Sequence, residues 1–127
     1  MAGKWRLTVT SDFSSAHQLR NYCGKCENMH GHNFGVELCV EGHGLTPDTE
    51  ILVDFKVLKK ALNQVLETLD HRHLNEVPPF DRQNPSSENL ARHIFTEVAA
   101  LLREEPVRVV FVAVSEKDSS RAEYSED

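Results

Sequence analysis

The chain has 127 residues, 39% of them hydrophobic, and a net charge of −6 from 14 Lys+Arg against 20 Asp+Glu. That length suits one domain, read as residues 1–127, and the apolar share excludes disorder over most of it. The acidic balance argues against a nucleic-acid or anionic-membrane surface, since either needs a basic stripe. The longest apolar run, Val109–Val114, is too short to span a membrane. The opening Met1–Arg6 leads into no secretory pattern, so a cytoplasmic protein is expected. Three cysteines, Cys23, Cys26 and Cys39, are an odd count without an export signal, which favours metal or catalytic use over a disulfide framework.

From Trp5 to Leu19 the apolar residues Trp5, Leu7, Val9, Phe13 and Leu19 fall on odd positions, the alternation of a half-buried strand. A loop over Asn21–Asn28 leads to a second strand, with Phe34, Val36, Leu38 and Val40 on even positions; the two should pair antiparallel. Asp54 reads as the N-cap of a helix whose apolar spacing continues to Leu69, ending by Leu74–Asn75. Ser86 or Ser87 caps a second helix, stopped by Pro106. Val107–Glu116 is rich in β-branched residues on both faces, which predicts a strand buried on both sides. Ala122–Tyr124 is a candidate fourth strand. The order β-β-α-α-β-(β) predicts an α+β fold, with two helices on one face of an antiparallel sheet.

His30-Gly31-His32 is the sharpest local signal, because residues i and i+2 of a strand project to the same side. Both share the even parity of Phe34, Val36 and Leu38, the apolar face. His17 shares the odd parity of Leu7 and Phe13, also the apolar face. Paired strands therefore bring His17, His30 and His32 onto one inner surface, a ligand set suited to zinc with an open fourth position. A lone inward histidine is more often a hydrogen-bonded core residue, but three together each have a polar nitrogen to satisfy. The reading requires an unbroken register from Phe13 to Leu19, as a bulge would turn His17 outward.

Cys26 lies four residues before His30, where a nearby cation would stabilise its thiolate as nucleophile or base. Cys23 completes an isolated CxxC without a second pair, and Cys39 reads as a small apolar side chain. For Asp70 and His71 two readings stand: a carboxylate orienting a proton-shuttling imidazole, or a histidine complementing the helix dipole. A direct Asp70–His71 contact requires the helix to have ended. Glu116 follows Val110, Val112 and Val114 on their parity and points inward, so it needs a partner such as the paired donors of a ligand.

Phe13-Ser-Ser-Ala-His17, Cys26-x-x-x-His30-Gly-His32, Val53-Asp-Phe55, Leu69-Asp-His71, Leu74-Asn75, Asn84-Pro-Ser-Ser-Glu88 and Val114-Ser-Glu116 span nearly the whole chain. In this order they resemble the 6-pyruvoyl-tetrahydropterin synthase family, most closely its bacterial carboxy-forming branch of the queuosine (preQ0) pathway. The resemblance implies the tunnelling fold, with strands joining between subunits into a barrel, and a homohexamer of two stacked trimers. It implies that His17, His30 and His32 bind Zn2+ and that Cys26 is the catalytic thiolate. Asp70 and His71 become a proton-transfer pair contributed by a neighbouring subunit. Glu116 anchors the pterin, with the Ser86–Ser87 backbone beside it. The implied substrate is 7,8-dihydroneopterin triphosphate, converted to 6-carboxytetrahydropterin with loss of acetaldehyde and triphosphate. Triphosphate elimination giving 6-pyruvoyltetrahydropterin is the alternative on the same scaffold, and a non-catalytic metal-binding assembly protein is a third. Ser86 stands where threonine is common in the family, and Cys23 has no assigned role.

Overall fold

The computed structural model describes residues 3–22, 24 and 28–127. Strands β1 (Trp5–His17) and β2 (His30–Gly42) are followed by helices α1 (Phe55–Leu66) and α2 (Ser87–Leu101), then strands β3 (Arg108–Lys117) and β4 (Ser120–Ser125). The strands form one sheet in the order β1-β2-β3-β4, antiparallel throughout. Odd residues of β1 and even residues of β2 enter the core as their alternation predicts: Val9, Phe13, Phe34, Val36, Leu38 and Val40 are buried. They pack with Leu58, Leu62 and Val65 of α1 and Leu90, Ile94 and Val98 of α2. Burying each of these aliphatic side chains contributes about 1.5–3 kcal/mol. The expected fourth strand forms and extends two residues before Ala122 and one beyond Tyr124, whose ring meets Phe95 edge-on at 5.1 Å.

Two expectations fail. The first helix does not reach Leu74: after Leu66 the chain turns irregularly, with a short 3-10 segment at Leu74–Glu76. The Asp54 cap forms as expected, its carboxylate accepting from the Lys56 amide at 2.8 Å. What ends the helix is the free edge of β1. The Ser14 amide donates to Asp70 Oδ1 at 2.8 Å, the His71 amide to the Ser14 carbonyl at 2.6 Å, and the Ala16 amide to the Arg72 carbonyl at 3.0 Å. Leu69 remains fully buried, so the apolar spacing was real but its last member is held by non-helical chain; Leu74 is fully buried too.

The second correction concerns β3, which is buried on one face and only in part on the other, where Ala113 is buried but Phe111 and Ser115 are not. Val109, Val112 and Val114 face the helices, whereas Phe111 on the other face is half-buried beneath the Arg121 guanidinium, 5.7 Å from the ring centroid. Arg121 in turn pairs with Glu37 and Glu123 at 2.7 and 2.9 Å. On that face Cys39 and Ala113 are buried and Phe111 half-buried, with the charged Glu37, Arg121 and Glu123 around them. The pairing of β2 with β3 shifts between Cys39 and Val40, making Val110 the extra residue and removing it from the inward row.

Candidate metal site

The site end of the sheet is built by register. His17 pairs with His30 and Ser15 with His32, so the three imidazoles meet where β1 ends and β2 begins. The ring centroids are 4.5 Å apart for His17–His30, 5.4 Å for His17–His32 and 4.6 Å for His30–His32. No bulge interrupts β1 between Phe13 and His17, as the reading of the sequence required.

His17 is fully buried, and its Nδ1 donates to the Pro85 carbonyl at 2.7 Å. The proton is thereby fixed on Nδ1 and the Nε2 lone pair aims at the other two rings. His17 Nε2 is buried with no hydrogen-bond partner, a state that a polar atom rarely occupies unless something else is to be bound there. Burial, more than any neighbouring charge, holds this imidazole below its usual pKa and keeps it neutral.

Glu116 completes the cluster. It is the unpaired residue where the β3–β4 register shifts between Ser115 and Lys117, and it keeps the inward parity of Val112 and Val114. Its carboxylate reaches His17 Nε2 at 3.5 Å and His32 Nε2 at 3.3 Å. One donor atom from each of His17, His30, His32 and Glu116 lies within 4.8 Å of all the others. Tetrahedral bonds of about 2.1 Å set donors about 3.4 Å apart, so a contraction of at most about 1.4 Å brings these four to the spacing of one divalent ion's ligands. Neutral imidazoles, an orphaned lone pair and an adjacent carboxylate fit a metal of this type. Sequence reading found Glu116 by parity but did not number it among the metal donors.

Asp70 and His71 are in contact, Oδ2 to Nδ1 at 2.9 Å. The helix has ended before them, which is the condition the sequence set. His71 adopts a left-handed backbone with φ 54°, tied by its amide to Ser14. The Ser14 amide, then the His71 side chain, hold the Asp70 carboxyl below its usual pKa. The pair lies outside the four-donor cluster, along the β1 edge, with the His71 side chain 82% exposed. Ser86 is the N-cap of α2, accepting from the Asn89 amide at 3.1 Å, and Ser87 Oγ lies 3.5 Å from Glu116. A cleft of about 340 Å3 beside Glu116 is lined by Leu19, Tyr22, Ser87, Lys117 and Ser120. Cys26 and Cys23, the thiolate candidate and its neighbour, lie outside the described residues.

An antiparallel sheet of four strands carrying two helices and a histidine cluster at one end defines a tunnelling-fold protein. The solved structure of 6-pyruvoyl tetrahydropterin synthase from Caenorhabditis elegans superposes with a TM-score of 0.88 at 27% identity, over 99% of this chain and 98% of that one. The chain is 36% identical over 117 residues, 92% of both proteins, to an Archaeoglobus fulgidus protein provisionally named 6-carboxy-5,6,7,8-tetrahydropterin synthase. It is 35% identical over 88 residues, 69% of both, to dihydroneopterin monophosphate aldolase of Pyrococcus furiosus. The profile of the 6-pyruvoyl tetrahydropterin synthase family matches residues 6–127, and the chain belongs to that family. Among the described residues no helix is long and apolar enough to cross a membrane.

Proposed function

We propose that the chain is a zinc-dependent 6-carboxy-5,6,7,8-tetrahydropterin synthase. It takes 7,8-dihydroneopterin triphosphate and water to 6-carboxytetrahydropterin, acetaldehyde and triphosphate, in queuosine (preQ0) biosynthesis. The observation that carries this reading is the orphaned His17 Nε2 facing His30, His32 and Glu116, inside a pterin-synthase fold. His17, His30 and His32 hold the ion. Bound zinc polarises the oxygens of the substrate side chain and acidifies the protons beside them.

The other roles follow from chemistry and position. Glu116, at the mouth of the cleft, offers two oxygens to the flat donor edge of the pterin, with Ser86 and Ser87 beside it. Cys26 serves as the thiolate that removes a side-chain proton. Asp70, kept ionised, orients His71 and stabilises its protonated form during a second transfer. The exposure of His71 supports its delivery to a neighbouring chain's cleft, within a homohexamer of two trimers whose sheets join into a barrel. The chain acts as one domain, in the cytoplasm.

A second reading, release of 6-pyruvoyltetrahydropterin, is favoured by the likeness to the C. elegans synthase. The purified zinc protein incubated with dihydroneopterin triphosphate separates the two. Acetaldehyde trapped in step with triphosphate release is the expected result. Triphosphate without acetaldehyde would establish the pyruvoyl reaction instead. A phosphorylated two-carbon aldehyde would mark an aldol cleavage like that of the Pyrococcus relative's name, and zinc without turnover of any pterin a binding protein.

A further inference from the structure

The orientation of His17 depends on the Pro85 carbonyl, and that carbonyl belongs to a loop far away in sequence. The segment from Asn75 to Asn84 that leads to it is held by two of the three residues that follow His17, Gln18 and Arg20. Gln18 exchanges two bonds with the Asn75 side chain: its amide donates to Oδ1 and its carbonyl accepts from Nδ2, both at 2.9 Å. Arg20 exchanges the same two bonds with the Asn84 side chain, again both at 2.9 Å. Each asparagine amide thus takes the place of a neighbouring strand, one rung at residue 18 and one at residue 20. Asn84 is itself steadied by Asn89 Nδ2, which donates to its carbonyl at 2.9 Å.

The Arg20 guanidinium closes the arrangement. It donates to the carbonyls of Gln83 at 2.9 Å, Phe80 at 2.7 Å and Asn75 at 3.3 Å. Among the described residues no carboxylate pairs with it. Its charge is spent on three backbone dipoles that lie in one fan, a geometry that a planar five-donor group matches and an ammonium does not. The chain then passes through Pro85 to Ser86 and Ser87. One side chain therefore ties the residues just after β1 to the chain that leads, two residues beyond Gln83, to the carbonyl that sets the His17 tautomer.

We propose that Arg20, acting with Asn84, is a positioning residue that fixes the aim of His17 toward the metal; this rests on the reading of His17 as a ligand. A purely structural clamp would change only stability. A positioning clamp changes the ion's affinity and ligand field in protein that is still folded, because outer-shell partners of a ligating histidine tune metal affinity by about 10–100-fold.

The test uses the full chain stripped of metal and titrated with zinc against a competing chelator, and with cobalt, whose visible bands report ligand geometry. Far-UV circular dichroism and Tm are recorded alongside. Arg20→Lys is expected to keep the wild-type circular dichroism, bind zinc 10–100-fold more weakly and show altered cobalt bands. Asn84→Ala removes the reciprocal rung while leaving the guanidinium, and is expected to shift both readouts the same way; it carries the test if Arg20→Lys does not fold. Native zinc affinity and native cobalt bands in the folded variants, with only Tm lowered, would overturn the positioning role and leave the metal reading intact. Wild-type protein that takes up neither ion would overturn both.

Discussion

His30→Ala and His32→Ala should each lose zinc and turnover together, elemental analysis falling from about one ion per chain to near none. Three imidazoles are the smallest protein set that holds a catalytic zinc, and removing one leaves two nitrogens and a nearby carboxylate. These two positions are the right ones to change because both are half-buried at the start of β2 and leave the core intact. His17 is fully buried, and its loss would also strand the Pro85 carbonyl. Among the described residues Glu116, 3.3 Å from His32, is the group placed to compensate. Glu116→Gln therefore belongs beside them as a control. If Glu116 anchors the pterin, that variant keeps its zinc and loses substrate affinity. Full zinc in folded His30→Ala would refute the ligand assignment.

Cys26→Ala and His71→Ala, by contrast, should both retain zinc and each lose about 10²–10⁴ in turnover, the size of a positioned proton-transfer group. The informative experiment is their mixture. His71 stands on the outer side of β1, 82% exposed and outside the four-donor cluster, which suits service to another chain. Unfolded together in equal amounts and refolded as mixed oligomers, the variants should recover activity. A site shared by two chains is intact when one supplies Cys26 and its neighbour supplies His71, which random assortment gives at about a quarter of sites. Mixed oligomers confirmed by mass but without turnover would show that each chain carries a complete site.

The three histidines were legible because strand parity is a strict code. Once Phe13 and Phe34 are inward, His17, His30 and His32 have no other face to occupy. The contact of Asp70 with His71 was legible only as a condition, that the helix stop first. Its stopping point was not, because periodicity reports which residues are buried and not how their backbone is bonded. Leu69 keeps the helical spacing and is fully buried, while the amides of His71 and Arg72 just beyond it are claimed by Ser14 and Ser15 of β1. The two-sided burial expected of β3 was met only in part for a related reason: an apolar run does not reveal that the cover over Phe111 is a single arginine from the next strand, which leaves the ring half-buried. The Arg20 clamp left no local trace at all, since Asn75 and Asn84 meet their partners 57 and 64 residues away. Both asparagines stood inside recognisable motifs, but a motif does not say which of its members works by copying a backbone.

The left-handed backbone at His71 means that folding and chemistry want different residues at that position. A non-glycine side chain there costs about 1 kcal/mol, which glycine would return. A population of variants sorted for thermal stability alone would drift toward glycine or asparagine at 71, and one sorted for turnover would hold the imidazole. The same position would thus look like a design flaw to one screen and a necessity to the other. Stability-guided redesign of this chain should therefore leave residue 71 untouched.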